Sequence, residues 1–187
     1  MSANQHVPDD RHLVAEYLMR RDENSFVQLY RAHTPALFRM AWRLGGLPAA
    51  DVEDAVQETW LRAARAIGRF RFESTLRTWL TSVLINCIHE SRRRKKETTD
   101  ELPDSPAPTR SIGLEIDLER AVASLPSGMR EVLVLHDIEG FTHEEIAGLL
   151  DIHAGTSKSQ LFMARRKVRS ALNGRSTSSN ARKTNNG

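Results

Sequence analysis

The chain has 187 residues, with 27 Lys and Arg against 24 Asp and Glu, a formal net charge of +3, 40% hydrophobic residues and 27% charged residues. This composition excludes collagen-like, mucin-like and wholly disordered chains. The length suits one medium domain or two small ones.

After residues 1–10, which read as a tail, the apolar spacing predicts helix after helix. His12–Met19 sets Leu13, Tyr17 and Leu18 on one side, and Ser25–His33 carries Phe26, Leu29 and Tyr30 at three- and four-residue steps. Thr34-Pro35 has the form of an N-cap followed by proline at the first helical position. The helix it would open places Leu37, Met40, Ala41 and Leu44 on one face and stops at Gly45-Gly46. Asp51–Ile67 repeats the pattern with Val52, Ala55, Val56, Trp60, Ala63 and Ile67. Thr75–Lys96 does so with Leu76, Trp79, Leu80, Val83, Leu84, Cys87 and Ile88. Trp42, Trp60 and Trp79 all fall on apolar stripes and are expected in the core, with Cys87 an inert core thiol.

Two opposed faces emerge in this first half. Asp51, Asp54 and Glu58 stand at steps of three and four and form one acidic stripe, with Gln57 beside them. Acids near a helix N-terminus are favoured by the dipole. That covers Asp51 and Glu53 but not the more distant Gln57 and Glu58. The segment Arg69-Phe70-Arg71-Phe72-Glu73-Ser74 interleaves cations with aromatics, a pattern that suits stacking of unpaired bases or, equally, a loop anchored to the core. Arg92-Arg93-Arg94-Lys95-Lys96 attracts a polyanion, unless it is only a solvated helix end.

Residues 97–113 hold Pro103, Pro106 and Pro108 and are acidic, which predicts an extended linker. It separates a domain over residues 11–96 from a smaller one over 114–172. In the latter, Leu118–Leu125, Ser127–Ile138, His143–Leu150 and Thr156–Leu172 are the helical segments, and 173–187 reads as a disordered tail. No stretch alternates with period two, so the fold class is all-α in two small domains. Gly140 can end one helix, and Thr142 with Glu145 has the spacing of a capping box. Ile146, Ala147 and Leu150 face inward, Ile152 plugs a short turn, and Leu161, Val168 and Leu172 continue the stripe. Helix, tight turn and second helix form the helix-turn-helix, whose second helix enters the major groove. Ser157, Lys158 and Gln160 near its start suit base edges, and Arg165, Arg166, Lys167 and Arg169 suit phosphates; Arg169 is explained as well by the helix dipole.

Charge is distributed in blocks: +8 over 62–96, −6 over 97–119, −5 over 137–151 and +5 over 158–169. Separate surfaces facing separate partners, or solvated helix faces, both produce such blocks.

The order DVEDAVQETWLRAARAIGRFR, TLRTWLTSVLINCIHESRRR, LPSGMREVLVLHDIEGFTHEEIAGLLDIHAGTSKSQL resembles the extracytoplasmic-function (ECF) sigma factors over residues 11–172. The resemblance implies an alternative sigma factor with region two over 11–96 and region four over 114–172. It implies docking on core RNA polymerase through Asp51, Asp54, Gln57 and Glu58. Arg71, Asn86, Glu90, Arg92, Arg93 and Arg94 would meet the minus-ten element, duplex and melted non-template strand. Thr156, Ser157, Lys158, Gln160, Arg165 and Arg166 would meet the minus-thirty-five element. An anti-sigma partner is also implied. Asp151 stands where glycine is common in the family, and Ser157, Gln160 and Met163 replace commoner Val, Arg and Arg, which leaves the promoter sequence open. The other reading of the residues is a helix-turn-helix repressor or activator that binds duplex DNA without polymerase.

The chain contains no GxSxG, P-loop or HExxH pattern, and His136, His143 and His153 lack a cysteine nearby to complete a metal set. No enzyme activity, metal or cofactor is expected. The single cysteine rules out an internal disulfide and favours a reducing compartment. No apolar run approaches the about 20 residues of a membrane span, and the first residues lack the pattern of a signal peptide. The expected location is cytoplasmic, without direct membrane insertion.

Overall fold

The computed structural model describes residues 9–20, 22–45, 48–98 and 114–181. The expected N-terminal tail up to residue 8, the linker from residue 99 to 113 and residues 182–187 lie outside the described residues. The chain divides into two compact units, Met1–Trp42 with Ala49–Asp100, and Arg43–Pro48 with Glu101–Gly187. Among the described residues every regular element is helical, and no helix there is long and apolar enough to cross a membrane.

The first unit contains α1 (Asp10–Arg20), α2 (Glu23–Gly45) as far as Trp42, α3 (Ala49–Ala66) and α4 (Leu76–Thr98), with a short 3-10 turn at Ile67–Arg69. The spacing that predicts each helix also fills the core. Leu29, Ala63 and Leu84 are wholly buried, with Val14, Met40, Val56, Leu80 and Ile88 nearly so. Cys87 belongs to this core, and burial pushes its thiol pKa up, away from the reactive thiolate. Tyr17, Phe26, Tyr30 and Trp60 form a chain of ring contacts at 5.1–5.6 Å that ties α1, α2 and α3 together.

Two expectations need correction here. Thr34-Pro35 does not open a new helix, because α2 runs unbroken from Glu23 to Gly45 with Pro35 inside it. An interior proline costs a backbone hydrogen bond and crowds the preceding turn, about 3 kcal/mol. Burial of Leu29 on one side and Leu37, Met40 and Ala41 on the other holds the two segments in line. Thr34 consequently has no cap to make, and its hydroxyl is buried without a hydrogen-bond partner. Trp42 is not core either: it is 41% exposed, unlike Trp60 at 5%.

The second unit contains α5 (Leu114–Ala123), α6 (Ser127–Leu133), α7 (His143–Leu150) and α8 (Ala154–Ala181). The segment expected as one helix to Ile138 changes at Val134 into a π-helical turn, Val134–Ile138. Val132, Val134, Leu135, Ile146 and Ala164 are completely buried, with Leu161 and Phe141 nearly so. Gly140 adopts φ +78, which breaks the chain away from this turn. Thr142 and Glu145 form the full capping box that opens α7. α8 continues to Ala181, past Leu172, where the expectation ends the helix and begins a tail. Residues 173–181 contain no proline to stop it.

Asp151 closes α7 in the left-handed region, at φ +52. A side chain there costs about 1 kcal/mol that glycine avoids, and Asp bears it better than most residues. Asp151→Gly should therefore raise the unfolding midpoint of this unit and Asp151→Val should lower it, each by an amount equivalent to about 1 kcal/mol, as read by urea titration.

Candidate nucleic-acid interface

On α3 the acidic stripe divides in two. Asp54 and Gln57 are exposed, whereas Asp51 and Glu58 are partly buried. Asp51 pairs with Lys95. Glu58 accepts from Arg62 Nε at 2.7 Å, and the two terminal nitrogens of Arg62 donate to Glu90 at 2.8 and 2.7 Å. One guanidinium therefore uses its planar fork on two carboxylates from two helices. Its pKa is raised, first by the bonds to Glu90 and then by those to Glu58. Glu90 is pushed below its ordinary value chiefly by Arg62.

This arrangement gives two of the expected contact residues a partner within the chain. Glu58 and Glu90, placed by the resemblance against polymerase and DNA, are bound to each other's helix through Arg62. Arg62 itself went unnoticed as a site residue. Its i,i+4 spacing from Glu58 is visible in the sequence, but Glu90 lies 28 positions away with no local signal. Asn86, Arg93 and Arg94 are exposed on α4, with Arg92 half-buried.

The loop before α4 carries Arg71, exposed, between two half-buried rings. Phe70 stacks on Trp79 at 5.1 Å and 28°, and Phe72 meets Phe70 at 4.6 Å. The Arg11 guanidinium of α1 lies 5.1 Å over the Phe72 ring. Phe72 holds φ +56, unusual for an aromatic residue. The ladder pins the loop to α4 and leaves Arg71 pointing outward, so the loop-anchor reading of these phenylalanines describes the chain without nucleic acid.

In the second unit, Lys158 and Arg166 are exposed on α8, and Thr156 is half-buried in its first turn. Ser157, expected to face a base, is fully buried. Its hydroxyl lies 2.9 Å from His143 Nδ1 and joins α8 to α7. Gln160 packs towards the start of α6, where a Cβ on Gly128 would stand 3.3 Å from its amide. Arg165 donates to both carboxylate oxygens of Asp137, at 2.9 and 2.6 Å. That pairing raises the Arg165 pKa and lowers that of Asp137. His136 and His143, with no assigned role in the sequence reading, stack at 4.6 Å and 29°. Among the described residues no group of three or more His, Cys, Asp or Glu is disposed to hold a metal ion.

A capped helix, a left-handed turn and a second helix lined with cations define the helix-turn-helix class of DNA-binding fold. Comparison with known proteins agrees and goes further. The family models for Sigma-70 region 2 and Sigma-70 region 4 match residues 29–98 and 115–168. The chain is 32% identical over 182 residues to the ECF RNA polymerase sigma factor SigM of Mycobacterium tuberculosis, covering 95% of this chain and 92% of SigM. Its fold is similar to that of the sigma factor RpoE solved with the anti-sigma factor NepR from Bartonella quintana, with a TM-score of 0.67 and 27% identity, covering 79% of this chain and 96% of that one. It is similar also to CnrH solved with the cytosolic domain of CnrY, with a TM-score of 0.66 and 28% identity over 88% of this chain and 97% of that one. The chain belongs to the ECF RNA polymerase sigma factors.

The Arg62 fork has a pH signature. Because Glu90 is held below its ordinary 4.5, the folded chain takes up that proton less readily than the unfolded one. The associated stability is complete above pH 4.5 and drains away as pH falls through the folded value. All three side chains are a third or more exposed, so screening limits the whole effect to about 1 kcal/mol. Arg62→Met should lower the urea midpoint of the first unit near neutral pH, and the difference from the wild type should shrink as Glu90 protonates.

Proposed function

We propose that this chain binds core RNA polymerase through the outward face of α3, centred on Asp54 and Gln57. Asp51 and Glu58 act behind that face by fixing α4. Through α4 and the loop before it, the first unit meets the minus-ten element. Asn86 contacts a base of the melted non-template strand, and Arg71, Arg92, Arg93 and Arg94 contact its backbone. Glu90 keeps α4 in place. α8 takes the minus-thirty-five element in the major groove, with Thr156 and Lys158 towards base edges and Arg166 towards phosphate. Ser157 and Gln160 set the position of α8, and Arg165 does so while it remains on Asp137. The chain acts in the cytoplasm, performs no chemistry of its own and requires no cofactor. An anti-sigma factor controls it, a reading supported by RpoE having been solved with NepR.

The observation that carries this reading is which charged groups the fold has tied between helices. Asp51 with Lys95, Glu58 and Glu90 with Arg62, and Asp137 with Arg165 brace helices, whereas Asp54, Gln57, Arg93 and Arg166 are exposed, and Lys158 is exposed with Glu144 4.0 Å away. Exposed charge in such blocks steers association and sets its salt dependence.

Purified chain added to core polymerase should initiate at a defined promoter in a run-off assay. The double variant Asp54→Lys, Gln57→Lys spares the Arg62 fork and should weaken polymerase binding by about tenfold or more, through charge reversal at an interface, with DNA binding by the second unit retained. Full transcription by this variant would overturn the assignment of α3. Sequence-specific duplex binding with none to polymerase would instead favour a repressor or activator. Arg166→Ala should weaken duplex binding on all sequences alike and reduce the slope of log affinity against log salt by about one.

A further inference from the structure

The second unit contains a pair of titratable rings for which the proposed function has no use. His136 lies in the π-helical turn and His143 in the first turn of α7, and their rings stack at 4.6 Å. Each is tied by its Nδ1. His136 meets Asp137 at 2.9 Å, and His143 meets the buried Ser157 of α8 at 2.9 Å. Three elements therefore converge on one imidazole pair, and the link to α8 enters where the recognition helix begins.

The surrounding charges are mixed. Asp137 shares the turn with His136 and also accepts the Arg165 fork from α8. On α7, Glu144 follows His143, and its carboxylate is 4.0 Å from Lys158 of α8. The cations Lys158 and Arg165 and the acids Asp137 and Glu144 thus face the pair from α8, the turn and α7. His143 is held below its ordinary 6.5 by burial first, then by the charges of His136 and Lys158, with Glu144 opposing. A proton on each ring would set two like charges at stacking distance.

We propose that the His136–His143 stack is a proton-sensitive joint: as pH falls below neutrality, charging the His143 ring against its stacked neighbour loosens α7 from the first turn of α8 and weakens DNA binding by this unit. The loss at DNA rests on the function proposed above; the loss of stability does not. The sign follows from linkage. The unfolded chain protonates His143 more readily than the folded one, so stability is complete above the ordinary value of 6.5 and drains away as pH falls from there through the lower folded value. The pH window coincides with the range over which imidazole titrates.

The test uses the full chain, with urea unfolding of α7 and α8 followed by amide NMR at about pH 7.5 and about pH 5.5. The wild-type midpoint should fall over that interval, and His143→Gln, which keeps an amide towards Ser157, should fall distinctly less. Equal falls, or no fall in the wild type, would overturn the proposal. Should His143→Gln not fold, His136→Gln decides instead: the His143 ring should then titrate at higher pH than in the wild type, and an unchanged midpoint overturns the idea. On a duplex from the promoter mapped by run-off transcription, wild-type affinity should drop severalfold more than that of His143→Gln over the same interval. Binding that strengthens equally in both would also refute it. The unfolding and titration readouts contain neither DNA nor polymerase, so their failure is separable from failure of the transcription assay.

Discussion

The first unit depends on a single guanidinium shared between two helices. α3 and α4 both bury apolar stripes, and hydrophobic contact alone specifies their proximity more tightly than their register. Arg62 adds the register. Its Nε reaches Glu58 one turn back on its own helix, and its terminal nitrogens reach Glu90 across the gap. Planar bidentate geometry tolerates little sliding or rotation. The Asp51–Lys95 pair repeats the tie at the other end of the contact. Asn86 and the basic run therefore stand at fixed places relative to Asp54 and Gln57.

The second unit solves the same problem with hydrogen bonds instead of a surface fork alone. A recognition helix must present its first two turns at a defined angle, yet those turns hold few large apolar side chains. Ser157, fully buried, supplies the anchor through His143, while Arg165 anchors the following turns to Asp137. The capping box and the left-handed Asp151 fix the start and end of α7. What remains outward on α8 is a smaller set than its polar composition suggests.

Helix existence and most of the core were legible because a period of 3.6 leaves a direct trace in the sequence. Asp51–Ile67, Thr75–Lys96 and His143–Leu150 nearly coincide with α3, α4 and α7. The capping box and the left-handed residue were legible too, since each is a local matter of side-chain chemistry. Pro35 misled because its local preference for a helix start is weaker than the tertiary burial on both sides of it. Trp42 misled because a stripe gives direction but not the depth of its end. The division of the acidic stripe, the burial of Ser157 and the pairing of Arg165 with Asp137 each require a partner from another helix. Nothing in local spacing encodes those partners.

The same dependence changes how the charge balance is to be understood. A net charge of +3 understates what DNA meets if the inward acids are counted against the outward cations. Asp51, Glu58, Glu90 and Asp137 are committed to Lys95, Arg62 and Arg165. Four acids are thereby set against three cations, so the charge left for a partner to sense is slightly more positive than the whole-chain sum. A phosphate approaching Arg165 must compete with a carboxylate already engaging its Nε and one terminal nitrogen, whereas one approaching Arg166 or Lys158 faces no comparable fork. Affinity for DNA in this unit is therefore set less by the number of cations on α8 than by how many of them the fold has left uncommitted.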